Sequence, residues 1–203
     1  MITITAKVIQ DSVPDWAVLQ RTLIRTINET PEYVLERYTK PGGGMLWPAD
    51  PDYTSTDALD DMYESFHNWP LFYFLGGADK FLTYSHRQFD AITRQFTQYD
   101  CGFGHPIVVK EYEQGYDWMH QGEGYLFFYL LNLADPDDPK NRERSLRFAG
   151  FLLNEDPDAV NYDERHHMLR CCYLGSKGAA HRNFDGSHWG WAEWKRWYGL
   201  PFH

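Results

Sequence analysis

The sequence predicts an all-α protein built from helical hairpins, and two observations lead to this prediction. The stretches 57–75 and 116–133 each begin with polar residues and end in an apolar run. Each is followed by a tight turn and then by an amphipathic helix pattern. A helix that is apolar on every side is expected to be buried, whereas an amphipathic helix lies on the surface. An inner helix followed by an outer helix, repeated along the chain, is typical of helical-hairpin arrays.

The other elements follow from periodicity and turn signals. Apolar residues at helical spacing after Ser12 predict a first helix that ends near Ile27, and Pro31 opens a short helix that ends near Tyr38. The glycine-rich run 40–48 is expected to be a loop, because it lacks the GxxxxGK[ST] and GxGxxG phosphate-binding patterns. We predict helices at 57–75, 79–99, 116–133 and 141–153, a short strand at 106–112, and a last short helix at 191–198 within a loop region over 155–203.

Pro70 interrupts the first inner helix. A proline in a helix interior removes a hydrogen bond and clashes with the preceding turn, at a cost of about 3 kcal/mol. The sequence therefore predicts either a helix that starts near Trp69 or a kink at that point. In both cases His67 and Trp69 turn away from regular helix packing.

The two hairpins, 57–99 and 116–154, align with each other. Setting Ala78 on Ala134 gives an offset of 134 − 78 = 56 residues. Under this offset, four residues of the first hairpin fall on matching or similar residues of the second: Tyr73 on Tyr129, Leu75 on Leu131, Trp69 on Tyr125, and Asp61 on Asp117. Periods of this length indicate solenoids or closed rings of hairpins.

Length and charge limit the class of protein. The 203 residues suffice for one domain, which we expect to span 1–203. With 19 Lys and Arg against 29 Asp and Glu, the net charge of −10 argues against nucleic-acid binding. We expect no signal peptide and no membrane span, and three cysteines favour reduced thiols. A cytoplasmic protein is therefore expected, although a processed secreted form would look the same.

Aromatic residues and carboxylates suggest a sugar ligand. Rings make up 17% of the chain, and many stand beside Gly, His and acidic residues, an environment that suits ligands with apolar faces and hydroxyl edges. Asp57, Asp60, Asp61, Glu64 and His67 share one helix face by spacing. Close carboxylates can keep one group protonated as a general acid, which glycoside cleavage requires. The helix dipole alone would account for Asp57 and Asp60.

With its alternating inner and outer helices and the aromatic and acidic motifs heading the inner ones, the chain resembles the six-hairpin (α/α)6 toroid glycosidases. It is most similar to unsaturated glucuronyl hydrolases and related β-glucuronidases, over residues 57–156. The resemblance implies part of an (α/α)6 toroid, because six hairpins of 56 residues would need about 336 residues against 203 here. We expect a fragment, a truncated product, or an open array that closes by forming a homo-oligomer.

The resemblance also implies roles for individual residues. Parallel inner helices would bring Asp61 and Asp117 together as acid and base. Contacts to the sugar are expected from polar residues and from stacking rings: Glu64, His67, His120, Glu123, Trp69, Trp118 and Tyr125. Lys177 and Arg182 are the candidates for pairing with a uronate carboxylate, because they lie in glycine-rich loop. By contrast, Arg142, Arg144 and Arg147 are expected to decorate an outer helix.

Two metal motifs are weaker interpretations. The segment DDMYE (60–64) resembles the Mg²⁺-diphosphate motif of terpene synthases, but no second metal motif accompanies it. The segment HHMLRCC (166–172) offers zinc-ligand types without the usual spacing. No metal and no cofactor are therefore expected. The sequence favours a glycoside hydrolase whose partner is an oligosaccharide; the alternatives are a polysaccharide lyase and a non-catalytic carbohydrate-binding or scaffold fragment.

Overall fold

The computed structural model describes residues 12–50, 52, 59–99, 108–113, 118–157, 162–165 and 167–169; at 109, 112–113, 118–121, 163 and 168–169 it describes the backbone alone. This part of the chain contains the helices α1 (Asp15–Asn28), α2 (Pro31–Tyr38), α3 (Leu59–Glu64), α4 (Asn68–Phe74), α5 (Lys80–Phe96), α6 (Trp118–Ala134) and α7 (Pro139–Leu152). Its strands form two short antiparallel pairs, β1 (Val108–Val109) with β2 (Tyr112–Glu113) and β3 (Tyr162–Asp163) with β4 (Met168–Leu169). The predicted all-α fold of helical hairpins is confirmed. The predicted last helix at 191–198 lies outside the described residues.

The first hairpin consists of α3, α4 and α5. Its inner helix is not continuous, because residues 65–67 form turns between Glu64 and Asn68. Pro70 is the third residue of α4, where a missing N–H leaves no helical hydrogen bond unmade. Of the two outcomes predicted for Pro70, the structure has the helix that starts near Trp69.

The second hairpin consists of α6 and α7. Asp138 caps α7 by accepting a hydrogen bond from the Asn141 N–H at 2.7 Å. The outer helices α5 and α7 end at Phe96 and Leu152, and this separation of 152 − 96 = 56 residues equals the predicted offset. The two hairpins therefore repeat in structure as well as in sequence. Closure into a toroid, which only the resemblance implies, stays a prediction.

The inner helices α3 and α6 pack closely side by side. A Cβ added to Gly124 would lie 3.3 Å from Asp60 Cα and 3.3 Å from Tyr63 Cδ2. Three residues further along α6, the ring of Phe127 lies 6.0 Å from the ring of Tyr63. Both contacts advance in the same direction along the two helices, so α3 and α6 run parallel. The glycine at 124 allows the two backbones to approach this closely.

Phe89 of α5 joins the two hairpins in one core. Its ring stacks on Tyr63 at 5.0 Å and contacts Phe127 at 5.6 Å and Phe128 at 5.8 Å. The largest apolar side chains that are fully buried come from both hairpins: Phe66, Phe81, Phe89, Phe96, Phe127, Phe128, Phe151, Ile92 and Leu131. Burial of this aromatic surface is the main force that holds α5 between the two inner helices.

One face of α6 is open to solvent. Leu126, Tyr129 and Leu133 are between 41% and 56% exposed and lie at helical spacing. The expectation that this helix is buried on every side is therefore wrong for this face. Among the described residues, no further helix packs against it.

The glycine-rich loop is fixed to α5 by two glutamines. Gln95 accepts a hydrogen bond from the Met45 N–H at 2.6 Å, and Gln88 donates one to the Gly43 carbonyl at 2.9 Å. Gly43 has a φ of +96°, and a Cβ there would lie 2.9 Å from Gln88 Oε1. Glycine at this position therefore serves the packing of the loop against α5. Separately, none of the helices in the described ranges has the length and apolar content needed to span a bilayer.

Candidate functional site

The beginning of α3 carries three carboxylates in two different environments. Asp60 is 2% exposed, whereas Asp61 and Glu64 are open to solvent. Asp60 lies on the same side of the helix as Leu59 and Tyr63, which belong to the core. Asp61 and Glu64, three residues apart, are neighbours on the exposed side. The acidic face predicted from spacing is therefore split between the helix interface and the surface.

Glu123 adds a carboxylate from the second hairpin. It is exposed and directly precedes Gly124, whose backbone lies against Asp60. Because α3 and α6 run parallel, Glu123 is at the same end of the helix pair as Asp61. We name the group formed by Asp60, Asp61, Glu64 and Glu123 the acidic mouth. Within the described residues, the side chains of Asp61, Glu64 and Glu123 form no ion pair.

Sequence reasoning gave Asp60 only a helix-capping role, but the structure buries it at the interface between the inner helices. A signal for this burial was present, since Asp60 stands one residue after Leu59 and three before Tyr63, on an apolar stripe. A buried carboxylate is rare unless neighbouring groups compensate its desolvation. Asp60 is therefore the one member of the acidic mouth whose environment differs most from water.

His67 lies in the turn between α3 and α4. It is half-buried, and its Nδ1 atom is inaccessible to solvent and bonds to no described atom. This position next to the break agrees with the prediction that Pro70 would turn His67 away from regular helix packing.

Trp69 and Tyr125, both predicted to contact sugar, lie against the core. The Trp69 ring contacts Phe66 at 4.9 Å and Phe81 at 5.5 Å, edge to face. Tyr125 is 9% exposed, and its ring lies 5.1 Å from that of Phe148. These contacts give both rings a packing role, and stacking on a sugar stays a prediction for them.

The remaining predicted site residues are only partly described. Asp117, Lys177 and Arg182 lie outside the described residues. The backbone of Trp118 and His120 forms the first turn of α6, and their side chains are not described. The predicted pairing of Asp61 with Asp117 therefore stays a prediction.

A second charged group, which sequence reasoning missed, lies between the outer helices. Arg144 is 1% exposed, so the expectation that it decorates the surface of an outer helix is wrong. Its guanidinium binds Glu111 through two hydrogen bonds of 2.8 Å, also binds Asp90, and lies 4.7 Å from the centre of the Phe89 ring. Lys140 donates to Asp90 at 2.6 Å, and Arg147 donates to Glu111 at 3.2 Å. We call these five charged residues, Asp90, Glu111, Lys140, Arg144 and Arg147, the Arg144 cluster.

Charge compensation in this cluster is visible in its pKa values. Burial alone would raise the pKa of the Asp90 carboxyl, but hydrogen bonds from Arg144 and Lys140 outweigh burial and hold that pKa below its usual range. Burial opposes the charge of Arg144 as well, yet hydrogen bonds to Glu111 and Asp90 raise its pKa. The cluster also fixes the turn between β1 and β2, in which Lys110 and Glu111 adopt positive φ angles of 51° and 67°.

Comparison with known proteins gives one match. The family model described as Domain of unknown function (DUF8034) matches residues 3–203. The chain belongs to this family. No curated protein and no solved structure matches the chain. Membership of the DUF8034 family thus covers the whole hairpin region, including the acidic mouth and the Arg144 cluster, and any function must be argued from the geometry of these groups.

Proposed function

We propose that the protein is a glycoside hydrolase that acts on an oligosaccharide, with its reaction centre at the acidic mouth. The observation that carries this proposal is the parallel packing of α3 and α6, which puts Asp61, Glu64 and Glu123 at one end of the helix pair. Hydrolysis of a glycosidic bond needs one carboxyl group as acid and a second as base or nucleophile. Carboxylates contributed by two hairpins to one mouth can supply such a pair.

Roles follow from exposure. Asp61 is the candidate acid or base, because it is exposed and therefore accessible to a substrate. Glu123 is its described partner from α6, and Asp117, which precedes α6 in the chain, is the partner that the sequence predicts. Glu64 is placed to accept hydrogen bonds from sugar hydroxyls. Gly122 supports this arrangement, since a Cβ added there would meet nothing within 4 Å and a ligand could approach the backbone.

The experiment is hydrolysis of a panel of neutral and uronic-acid oligosaccharides, followed by mass spectrometry. We expect Asp61→Asn to reduce turnover by about 10²- to 10⁴-fold, the range typical of a general acid or base. Glu36→Gln, on the exposed side of α2, is the matched control and should keep full activity. Circular dichroism should show that both variants fold. An Asp61→Asn variant with wild-type turnover would end the assignment.

A polysaccharide lyase is the second candidate, and His67 is the observation that favours it. Its Nδ1 bonds to no described atom, and a neutral imidazole beside a carboxylate-rich mouth could remove the proton next to a uronate. A lyase leaves an unsaturated sugar that absorbs in the ultraviolet, whereas a hydrolase does not. Growth of ultraviolet absorbance that His67→Gln abolishes would favour the lyase over the hydrolase.

Self-association belongs to the same proposal. The open face of α6, formed by Leu126, Tyr129 and Leu133, is apolar and lies where a further hairpin would pack in a ring. We propose that this face is covered in a homo-oligomer. Light scattering should then give a defined dimer or higher oligomer, and Tyr129→Glu should shift it toward the monomer. A wild-type monomer that binds sugar without forming products would instead indicate the non-catalytic fragment.

A further inference from the structure

We propose that His86, Asp135 and Asp138 form a binding site for a divalent transition-metal ion, with Zn²⁺ as the first candidate. His86 projects from α5, Asp135 follows the end of α6, and Asp138 is the N-cap of α7. One ligand atom from each residue lies within 4.8 Å of the other two, and all three residues are half-buried. The site is separate from the acidic mouth and does not depend on the proposed hydrolase.

The distances are close to those of a metal site. His86 Nε2 lies 2.9 Å from Asp135 Oδ2, a separation that two ligands of one ion can have. An ion at the centre of a triangle with 4.8 Å sides lies about 2.8 Å from each corner, so an inward movement of roughly 0.7 Å gives the bond lengths near 2.1 Å that Zn²⁺ requires. A rotation of the Asp138 side chain supplies such a movement.

The ligand types select the class of metal. One imidazole nitrogen with two carboxylates suits Zn²⁺, Mn²⁺ and Fe²⁺ better than Ca²⁺ or Mg²⁺, which prefer oxygen ligands alone. Three protein ligands leave a position for water, as in open zinc sites. Two aspartates and a neutral histidine also bring two negative charges, which a divalent cation would neutralise.

Asn141 gives an independent reason to expect a bound group here. It is fully buried, and neither its Nδ2 nor its Oδ1 bonds to a described atom. Its backbone N–H donates to Asp138 Oδ1, so the residue adjoins the cluster. A buried amide without hydrogen bonds is costly and commonly marks a bound water or ion. A water held by the metal is a partner of the right kind.

An ordinary ion pair between His86 and Asp135 is the competing account. It leaves Asp138 as a helix cap only, and it gives the Asn141 amide no partner. The two accounts differ in what Asp138 does, because only the metal site needs its side chain for anything beyond the capping bond to the Asn141 N–H.

The test is titration of the full chain, freed of metal by EDTA, with Zn²⁺ in an isothermal calorimeter. Because the chain holds nine histidines and three cysteines, binding is compared between variants and not read from the wild type alone. The decisive variant is Asp138→Asn, since Asn also caps helices well and should keep α7 folded. His86→Gln removes the imidazole ligand. Asp137→Asn changes an exposed aspartate in the same turn and is the matched control.

We expect the wild type and Asp137→Asn to bind one more Zn²⁺ per chain than Asp138→Asn and His86→Gln, or to bind that ion at least about 100-fold more tightly. Zn²⁺ should also raise the melting temperature of the wild type and the control but not of the two ligand variants. Melting without metal checks that each variant folds, and if His86→Gln does not, Asp138→Asn decides alone. Equal stoichiometry and affinity in Asp138→Asn and Asp137→Asn would overturn the proposal.

Discussion

The acidic mouth and the Arg144 cluster are both rich in carboxylates, yet their surroundings differ. In the Arg144 cluster, Asp90 and Glu111 each pair with two cations, and the guanidinium at the centre is almost completely buried. In the acidic mouth, Asp61, Glu64 and Glu123 are exposed, and they form no ion pair within the described residues. The first group has the compensation that a structural element needs, and the second keeps unneutralised charge that only a ligand would use.

This difference shows that the number of acidic residues is a poor guide to function and that the balance of charge around them is a better one. A buried ion pair stabilises a fold only when its hydrogen bonds are nearly complete, and Arg144 meets that condition with three hydrogen bonds to carboxylates. Carboxylates that repel one another on a surface cost stability, and folds retain such groups where chemistry requires them. The predictions below test this contrast by removing charge from each region.

The largest effect is expected from Arg144→Met. It removes the central cation and leaves Asp90 and Glu111 with only the more exposed Lys140 and Arg147. We expect the free energy of unfolding in urea to fall by about 3–5 kcal/mol, as for other broken buried ion pairs. Arg142→Met, two residues earlier on the exposed side of α7, should change it by less than about 0.5 kcal/mol. Equal effects of the two substitutions would show that burial of Arg144 contributes nothing.

A smaller effect, dependent on pH, is expected from Asp90. Its pKa is lowered in the folded state, so its contribution to stability is fully present above the pKa of the unfolded chain, near 4, and is lost as pH falls through the lower folded value. Asp90→Asn should lower the free energy of unfolding by about 1–3 kcal/mol at pH 7 and make it less dependent on pH below 4. Urea unfolding between pH 2 and 7 measures both effects. A variant with the wild-type slope below pH 4 would show that other carboxyl groups cause the acid sensitivity.

Two glycines of α6 offer a matched pair beside the acidic mouth. Alanine at 122 meets open space and should stabilise the helix by up to about 1 kcal/mol. Alanine at 124 would press on Asp60 and Tyr63, and overpacking of about 1–3 kcal/mol should cancel or exceed that gain. Thermal unfolding of Gly122→Ala and Gly124→Ala compares them directly. If both were stabilising to the same extent, α3 and α6 would not be packed as closely as described.

Local signals predicted much of this fold. Proline and capping signals placed α2 at 31–38, and the period of 56 residues matched the ends of α5 and α7. Pro70 predicted a start or a kink but could not choose between them, because the choice depends on how α3 and α4 each pack on α6. The open face of α6 was missed for a similar reason, since an apolar sequence does not show whether a neighbouring hairpin covers it.

The candidate site was harder to predict than the fold. Asp60 and Asp61 are adjacent, so spacing and the repeat alignment could not decide which of them faces the second hairpin. Arg144 was expected at the surface because charged residues usually are. Its partners Asp90 and Glu111 stand 54 and 33 residues away, beyond the reach of any local pattern. For the same reason, nothing in the sequence alone associated His86 with Asp135.

The most direct test of the contrast between the two regions is the stability of the double variant Asp61→Asn/Glu64→Gln. Asp61 gains slightly from the helix dipole at the start of α3, whereas Glu64 at the end of the helix loses, and both are exposed. We predict a free energy of unfolding in urea within about 0.5 kcal/mol of the wild type, or higher, together with loss of oligosaccharide hydrolysis. A loss of about 2 kcal/mol or more would contradict the account, because the acidic mouth would then be holding the fold together as the Arg144 cluster does.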